Sequence, residues 1–110
     1  MSQINWKERA EHMNFNGQAF INGQRVDALS GATFECISPC DGRKLADVAR
    51  CDKADVDAAV SVAREAFEDG RWAHLSPRKR KEILIRFADL IVQSKNELAL
   101  TETLDMGKPI

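Results

Sequence analysis

A helix that must stop at Gly107 dictates much of what these 110 residues can become. The stretch Glu97 to Ile110 reads E-L-A-L-T-E-T-L-D-M-G-K-P-I. Its acidic, leucine-bearing run leads into Asp105, then into Gly107, the residue that most readily takes the left-handed turn closing a helix, then into Pro109. Asp105 is therefore expected in the last helical turn, where a carboxylate opposes the helix dipole at a cost of roughly 0.3–1 kcal/mol. A residue that costs stability where it stands implies a partner elsewhere in the fold.

Two more helices precede this one. Asp52, with Asp55 three residues on, makes a capping box, and Val56, Ala59, Val60, Ala63 and Phe67 recur on one stripe before Asp69-Gly70 ends the segment. Ser76 followed by Pro77 is a helix start, because proline is best tolerated in the first turn. Leu84, Phe87, Ala88 and Ile91 then form an apolar stripe expected to be buried, with Trp72 expected to plug the gap between the two helices. Arg78, Lys79, Arg80 and Lys81 read as a solvated basic face rather than a phosphate site, since no glycine-rich loop precedes them. Ser94 with Glu97 predicts a second capping box, reopening the chain into the last helix.

Upstream, the pattern changes to strands. Asn22-Gly23 suits the positive φ angles of a type I′ turn, so Ala19 to Val26 is expected to form a two-residue hairpin. Thr33 to Ile37 favours β structure, Pro39 to Gly42 carries turn chemistry, and Leu45 to Ala49 supplies a further strand. Phe20 to Ala49 thus reads as one small antiparallel sheet, and Ile4 to Phe15 as a short leading helix. The fold class is α+β: a lead over 1–18, hairpins over 19–50 and helices over 52–107.

A net charge of −1 with 30% charged residues gives no electrostatic reason to expect nucleic acid or an anionic membrane as partner. No apolar run suggests a signal peptide or a span, which makes a cytoplasmic location the expectation. Cys36, Cys40 and Cys51 fit neither C-x-x-C nor a paired framework and read as free thiols. Neither His12 nor His74 has a second ligand at metal spacing.

The run E-T-L-D-M-G-K-P-I resembles the L-E-T-L-D-x-G-K-P segment of the aldehyde dehydrogenase family. F-I-N-G at Phe20 to Gly23, T-F-E-C-I-S-P at Thr33 to Pro39 and S-P-x-x-R at Ser76 to Arg80 agree with that family in order and spacing. The resemblance covers Ala19 to Ile110. It implies an α/β enzyme, of which these residues form the N-terminal part of the NAD(P)-binding domain. It also implies oxidation of an aldehyde to a carboxylic acid with NAD or NADP, in a dimer or tetramer. Within the family, W-K-E-R-A, G-Q-A-F-I-N-G and L-D-M-G-K-P-I are most similar to γ-glutamyl-γ-aminobutyraldehyde dehydrogenases of putrescine breakdown. Betaine-aldehyde dehydrogenase is the rival, and a stand-alone, non-catalytic interaction module is the alternative of another class.

The chemistry of such an enzyme needs a thiolate nucleophile, a general base, oxyanion donors and a dinucleotide. The family's Asn-x-Gly-Gln-x-Cys nucleophile run does not occur here, nor does G-x-G-x-x-G, so the resemblance implies the N-terminal portion of a longer enzyme, inactive by itself. It also assigns a role to Asp105. In the family a monovalent cation, K⁺ or Na⁺, lies between this aspartate and two main-chain carbonyls, which by the match belong to Cys36 and Ile37. The Cys36 side chain is expected to be irrelevant to that contact. The competing reading makes Asp105 a local cap or a salt-bridge partner of Lys108.

Overall fold

A computed structural model describes residues 3–110. Its elements run α1 (Trp6–His12), β1 (Ala19–Ile21), β2 (Gln24–Val26), β3 (Thr33–Ile37), β4 (Lys44–Ala49), α2 (Lys53–Glu68), α3 (Pro77–Gln93) and α4 (Lys95–Met106). The locally encoded features form as their residue types require. Asn22 (φ 54°) and Gly23 (φ 74°) take the positive-φ pair that joins β1 to β2. Asp52 and Asp55 cap α2 reciprocally, and Ser76 caps α3 by accepting from the Lys79 amide at 3.2 Å. Gly107 closes α4 in the left-handed conformation (φ 77°).

Four expectations are corrected. The strands do not make one sheet: β1 pairs only with β2 and β3 only with β4, each antiparallel. Hairpin turns dictate pairing between consecutive strands, but nothing local joins β2 to β3, and the connection there is instead tied to α2. Ser94 makes no side-chain cap bond, because it also closes α3 and sits at φ −96°, ψ 9° rather than in the extended conformation a cap needs. The stripe of α3 is not buried: Leu84, Phe87 and Ile91 are 56%, 61% and 45% exposed. Trp72 plugs no gap between helices and instead borders an open groove along α3 with Pro77, Leu84, Ile85 and Ala88.

The molecule is a slab of 46 × 42 × 19 Å with a radius of gyration of 17.8 Å, against about 13 Å for a compact chain of this length. Its buried positions are few: Ala28 after β2, Ser38 after β3, Asp55 on α2, Gly70 just past α2, and Leu100 and Leu104 on α4. On α2 the half-buried face is Ala59, Val62 and Ala66, which borders the β1–β2 hairpin, while Val56, Val60 and Phe67 are exposed. Exposed apolar surface on this scale has a solution consequence. The isolated 110-residue chain is expected to bind a hydrophobic dye and to self-associate with rising concentration; a monodisperse monomer with a sharp melt and no dye signal would show these faces to be harmless in water.

Candidate functional site

The expected partner of Asp105 is found at β3. Asp105 Oδ1 accepts a hydrogen bond from the Cys36 thiol at 3.2 Å, between residues 69 apart in sequence. One further hydrogen bond ties the same end of α4 to the β3–β4 hairpin, and Gly107 passes close to the Pro39 ring. The Cys40 thiol donates to the Thr103 carbonyl at 3.6 Å, and a side chain at Gly107 would come within 3.3 Å of the Pro39 ring. Leu100 and Leu104 are the buried residues of α4, and Leu100 borders a pocket shared with Arg9 and Met13. The β3–β4 register shifts between Cys36 and Ile37, Cys36 facing Ala46 and Ile37 facing Lys44, so the ladder is irregular beside the Asp105 carboxylate.

The Cys36 side chain is itself in direct contact with the carboxylate. Lys108 is not its ion-pair partner, since that ammonium pairs with Glu102 at 3.6 Å. Among the described residues, Asp105 has the Cys36 thiol as its hydrogen-bond partner and no ion-pair partner.

The hydrogen bond to Asp105, then partial burial, then the carboxylate's charge hold the Cys36 thiol above its ordinary pKa. A thiol pushed in that direction stays protonated at neutral pH, the wrong state for a nucleophile and the right one for a hydrogen-bond donor. Cys40 and Cys51 are exposed free thiols.

Neither longer helix offers a dinucleotide cradle. The first turn of α2 is occupied by the carboxylates of Asp52 and Asp55, which would repel a pyrophosphate. That of α3 has lost an N–H to Pro77 and already gives the Lys79 amide to Ser76. The basic residues there are solvated, with Arg78 and Lys79 both on Glu82 at 3.5 and 3.7 Å. The residues present do not fit NAD or NADP. For a cation the donor chemistry differs. Among the described residues no three His, Cys, Asp or Glu side chains cluster as a metal site would need. A carboxylate is a hard-oxygen donor, the kind that suits Na⁺ or K⁺.

Two supporting contacts escaped the sequence reading. Ser38, 1% exposed, accepts from the Cys40 amide at 3.2 Å and exchanges main-chain bonds with the Arg43 and Gly42 backbone, holding the β3–β4 turn. Arg43 reaches from that turn to the Ala10 carbonyl on α1 at 2.9 Å. Neither residue type signals such a role in sequence; the Ser-Pro pair marks only a turn.

The described residues form an α+β segment in which a helix-end carboxylate is joined to a β-hairpin. The sequence matches the aldehyde dehydrogenase family over residues 26–110, and the chain belongs to that family. It is 56% identical to a solved indole-3-acetaldehyde dehydrogenase of P. syringae that holds NAD⁺, with a TM-score of 0.93 over 96% of this chain and 21% of that one. The γ-glutamyl-γ-aminobutyraldehyde dehydrogenase structure from Burkholderia cenocepacia gives 52% identity and a TM-score of 0.93, again over 96% of this chain and 21% of the other. Aminoacetaldehyde dehydrogenase of Pseudomonas aeruginosa is 44% identical over the whole chain and 22% of its own length. The chain thus spans about a fifth of the length of these relatives.

Proposed function

We propose that these residues form the N-terminal part of the NAD(P)-binding domain of an enzyme that oxidises an aldehyde to a carboxylic acid. The observation that carries this reading is the match to the aldehyde dehydrogenase family across residues 26–110, with relatives whose shared segment has the same fold. The nucleophile and the dinucleotide site belong to other parts of the polypeptide, since the residues here fit neither. The substrate class we favour is an aminoaldehyde such as γ-glutamyl-γ-aminobutyraldehyde, in putrescine breakdown, on the likeness to the enzymes named for that aldehyde and for aminoacetaldehyde. The 56% identity to an indole-3-acetaldehyde dehydrogenase, above the 52% and 44% of those two enzymes, supports a second reading, with an aromatic aldehyde. We place the enzyme in the cytoplasm as a homo-oligomer, a dimer or tetramer.

Steady-state assays of the full-length enzyme with γ-glutamyl-γ-aminobutyraldehyde, aminoacetaldehyde, betaine aldehyde and indole-3-acetaldehyde, each with NAD⁺ and NADP⁺, test this. The highest kcat/KM on an aminoaldehyde supports the first reading, and the highest on indole-3-acetaldehyde the second. No turnover of any aldehyde would favour a non-catalytic module.

In the same enzyme, Asp105 and the main-chain carbonyls of Cys36 and Ile37 are the residues we assign to a monovalent cation. Such an ion would neutralise a carboxylate that the α4 dipole disfavours. Asp105→Asn is expected to lower the unfolding midpoint more in sodium or potassium chloride than in a bulky-cation chloride at equal ionic strength. Equal loss in both buffers would make the residue structural only.

A further inference from the structure

We propose that α3 is an interior helix of the complete enzyme, and that a later part of the same polypeptide fills the groove between Trp72 and Ala88 and sets a carboxylate against the Arg80 guanidinium; this rests on the reading of these residues as part of a longer enzyme. The first ground is the width of the apolar surface. Ile83, Leu84, Ile85, Phe87, Leu90 and Ile91 are all exposed, and no residue of α3 is buried. At about 100° per residue these side chains span an arc of roughly 220°, about twice the apolar stripe of a helix that lies on one layer with its other side in water. A helix of this kind needs cover on more than one side, which is more surface than a small ligand closes.

The second ground is Arg80. It is half-buried and less exposed than every other residue of α3, yet among the described residues it has no ion-pair or side-chain hydrogen-bond partner. Its neighbours Arg78 and Lys79 both pair with Glu82. Arg80 instead borders the groove beside Lys81, where the rest of the lining is Trp72, Pro77, Leu84, Ile85 and Ala88. Covering that groove takes a guanidinium with its five donors out of water, which is costly unless a carboxylate meets it. A second copy's α3 is a poor occupant: its acids are Glu82, already engaged, and Asp89, which lies with Arg86 on the polar face. The relatives point to the same polypeptide instead, since the segment they share with this chain is only 21% of two of them.

The test uses the full-length enzyme with Ile85→p-benzoylphenylalanine, irradiated and mapped by mass spectrometry. The adduct is expected at a peptide beyond residue 110 that carries an Asp or Glu, in a product with the mass of one polypeptide. An adduct joining two polypeptides, one confined to residues 3–110, or none at all would overturn the proposal. If this variant fails to fold, the same replacement at Lys81, on the rim of the groove, decides. Arg80→Met is expected to lower the unfolding midpoint by roughly 5 °C, with Arg80→Lys recovering part of the loss. Replacing the mapped acid by its amide should cost as much, and the double variant no more than either single one; additive losses would overturn the carboxylate pairing. Aldehyde turnover by the unmodified enzyme keeps the underlying reading separate. An active enzyme without the adduct overturns the docking alone; without turnover the enzyme reading fails, and the adduct still decides the docking.

Discussion

Gly17→Val is expected to be among the most damaging single changes in this chain. Gly17 precedes β1, and its carbonyl accepts from the Ala49 amide on β4 at 2.7 Å, so the lead lies flat on that strand. A Cβ built there would overlap the Asp47 carbonyl oxygen and come within 2.9 Å of Val48 Cα. Both obstacles are backbone, which cannot rotate aside as a side chain can. Either the lead lifts from β4 and the Ala49 bond is lost, or β4 shifts against β3. Overpacking of this kind costs about 1–3 kcal/mol, and the lost main-chain bond adds roughly 1 kcal/mol. Thermal unfolding of the full-length enzyme, with Gly17→Ala as a milder companion, should show a graded fall in the midpoint. No change in either variant would mean that the lead is not docked in solution.

The second large effect is expected at Asp55. This carboxylate is 4% exposed and holds three pieces of chain together. Its Oδ2 accepts from the Asp52 amide at 2.9 Å and its Oδ1 from the Leu29 amide at 2.8 Å, 26 residues away. Asp55→Ala therefore removes half of the α2 capping box and also leaves the Leu29 amide without its acceptor. The loop between the two hairpins then loses its tie to the helix. A fall in the unfolding midpoint of roughly 5 °C or more is expected. Asp55→Asn should recover part of this, since one amide oxygen still accepts while the other position becomes a donor facing a donor.

The same group carries a pH dependence of known sign. The amides of Asp52 and Leu29, in that order of importance, hold the Asp55 carboxyl below its ordinary pKa, against the opposing effect of burial. A group depressed in the folded state stabilises above its unfolded pKa, and that contribution is lost as pH falls through the folded value. The Asp55→Asn variant should thus differ most from wild type near neutrality and converge with it in acid. A difference that persists unchanged in acid would assign the effect to packing.

Much of the local structure was legible because its causes lie within a few residues of its effects. Asn22-Gly23 enforces a hairpin through positive φ, Ser76-Pro77 starts a helix through one hydroxyl and one fixed φ, and Gly107 ends α4. Asp52 and Asp55 cap one another across a single turn. The sequence also marked Asp105 as a residue out of place at its own helix end, and the family resemblance directed it to Cys36 and Ile37. What it carried no sign of was the thiol. A cysteine in a strand reads as a small apolar residue, and only the approach of α4 to β3 turns Cys36 into a donor for Asp105.

The tertiary structure alone decided which apolar stripes are covered. Periodicity identifies the faces of α2 and α3 that would prefer to be buried, but burial needs a second surface, and over residues 3–110 none covers Leu84, Phe87 or Ile91. The division of the strands into two ladders, the close seat of Gly17 on β4 and the span from Asp55 to Leu29 are likewise outcomes of packing between distant segments. Short-range hydrogen bonds and backbone preferences act within about four residues and can be read in order along a chain. Contacts across 26 or 69 residues depend on where whole elements come to rest, and no single residue type announces them.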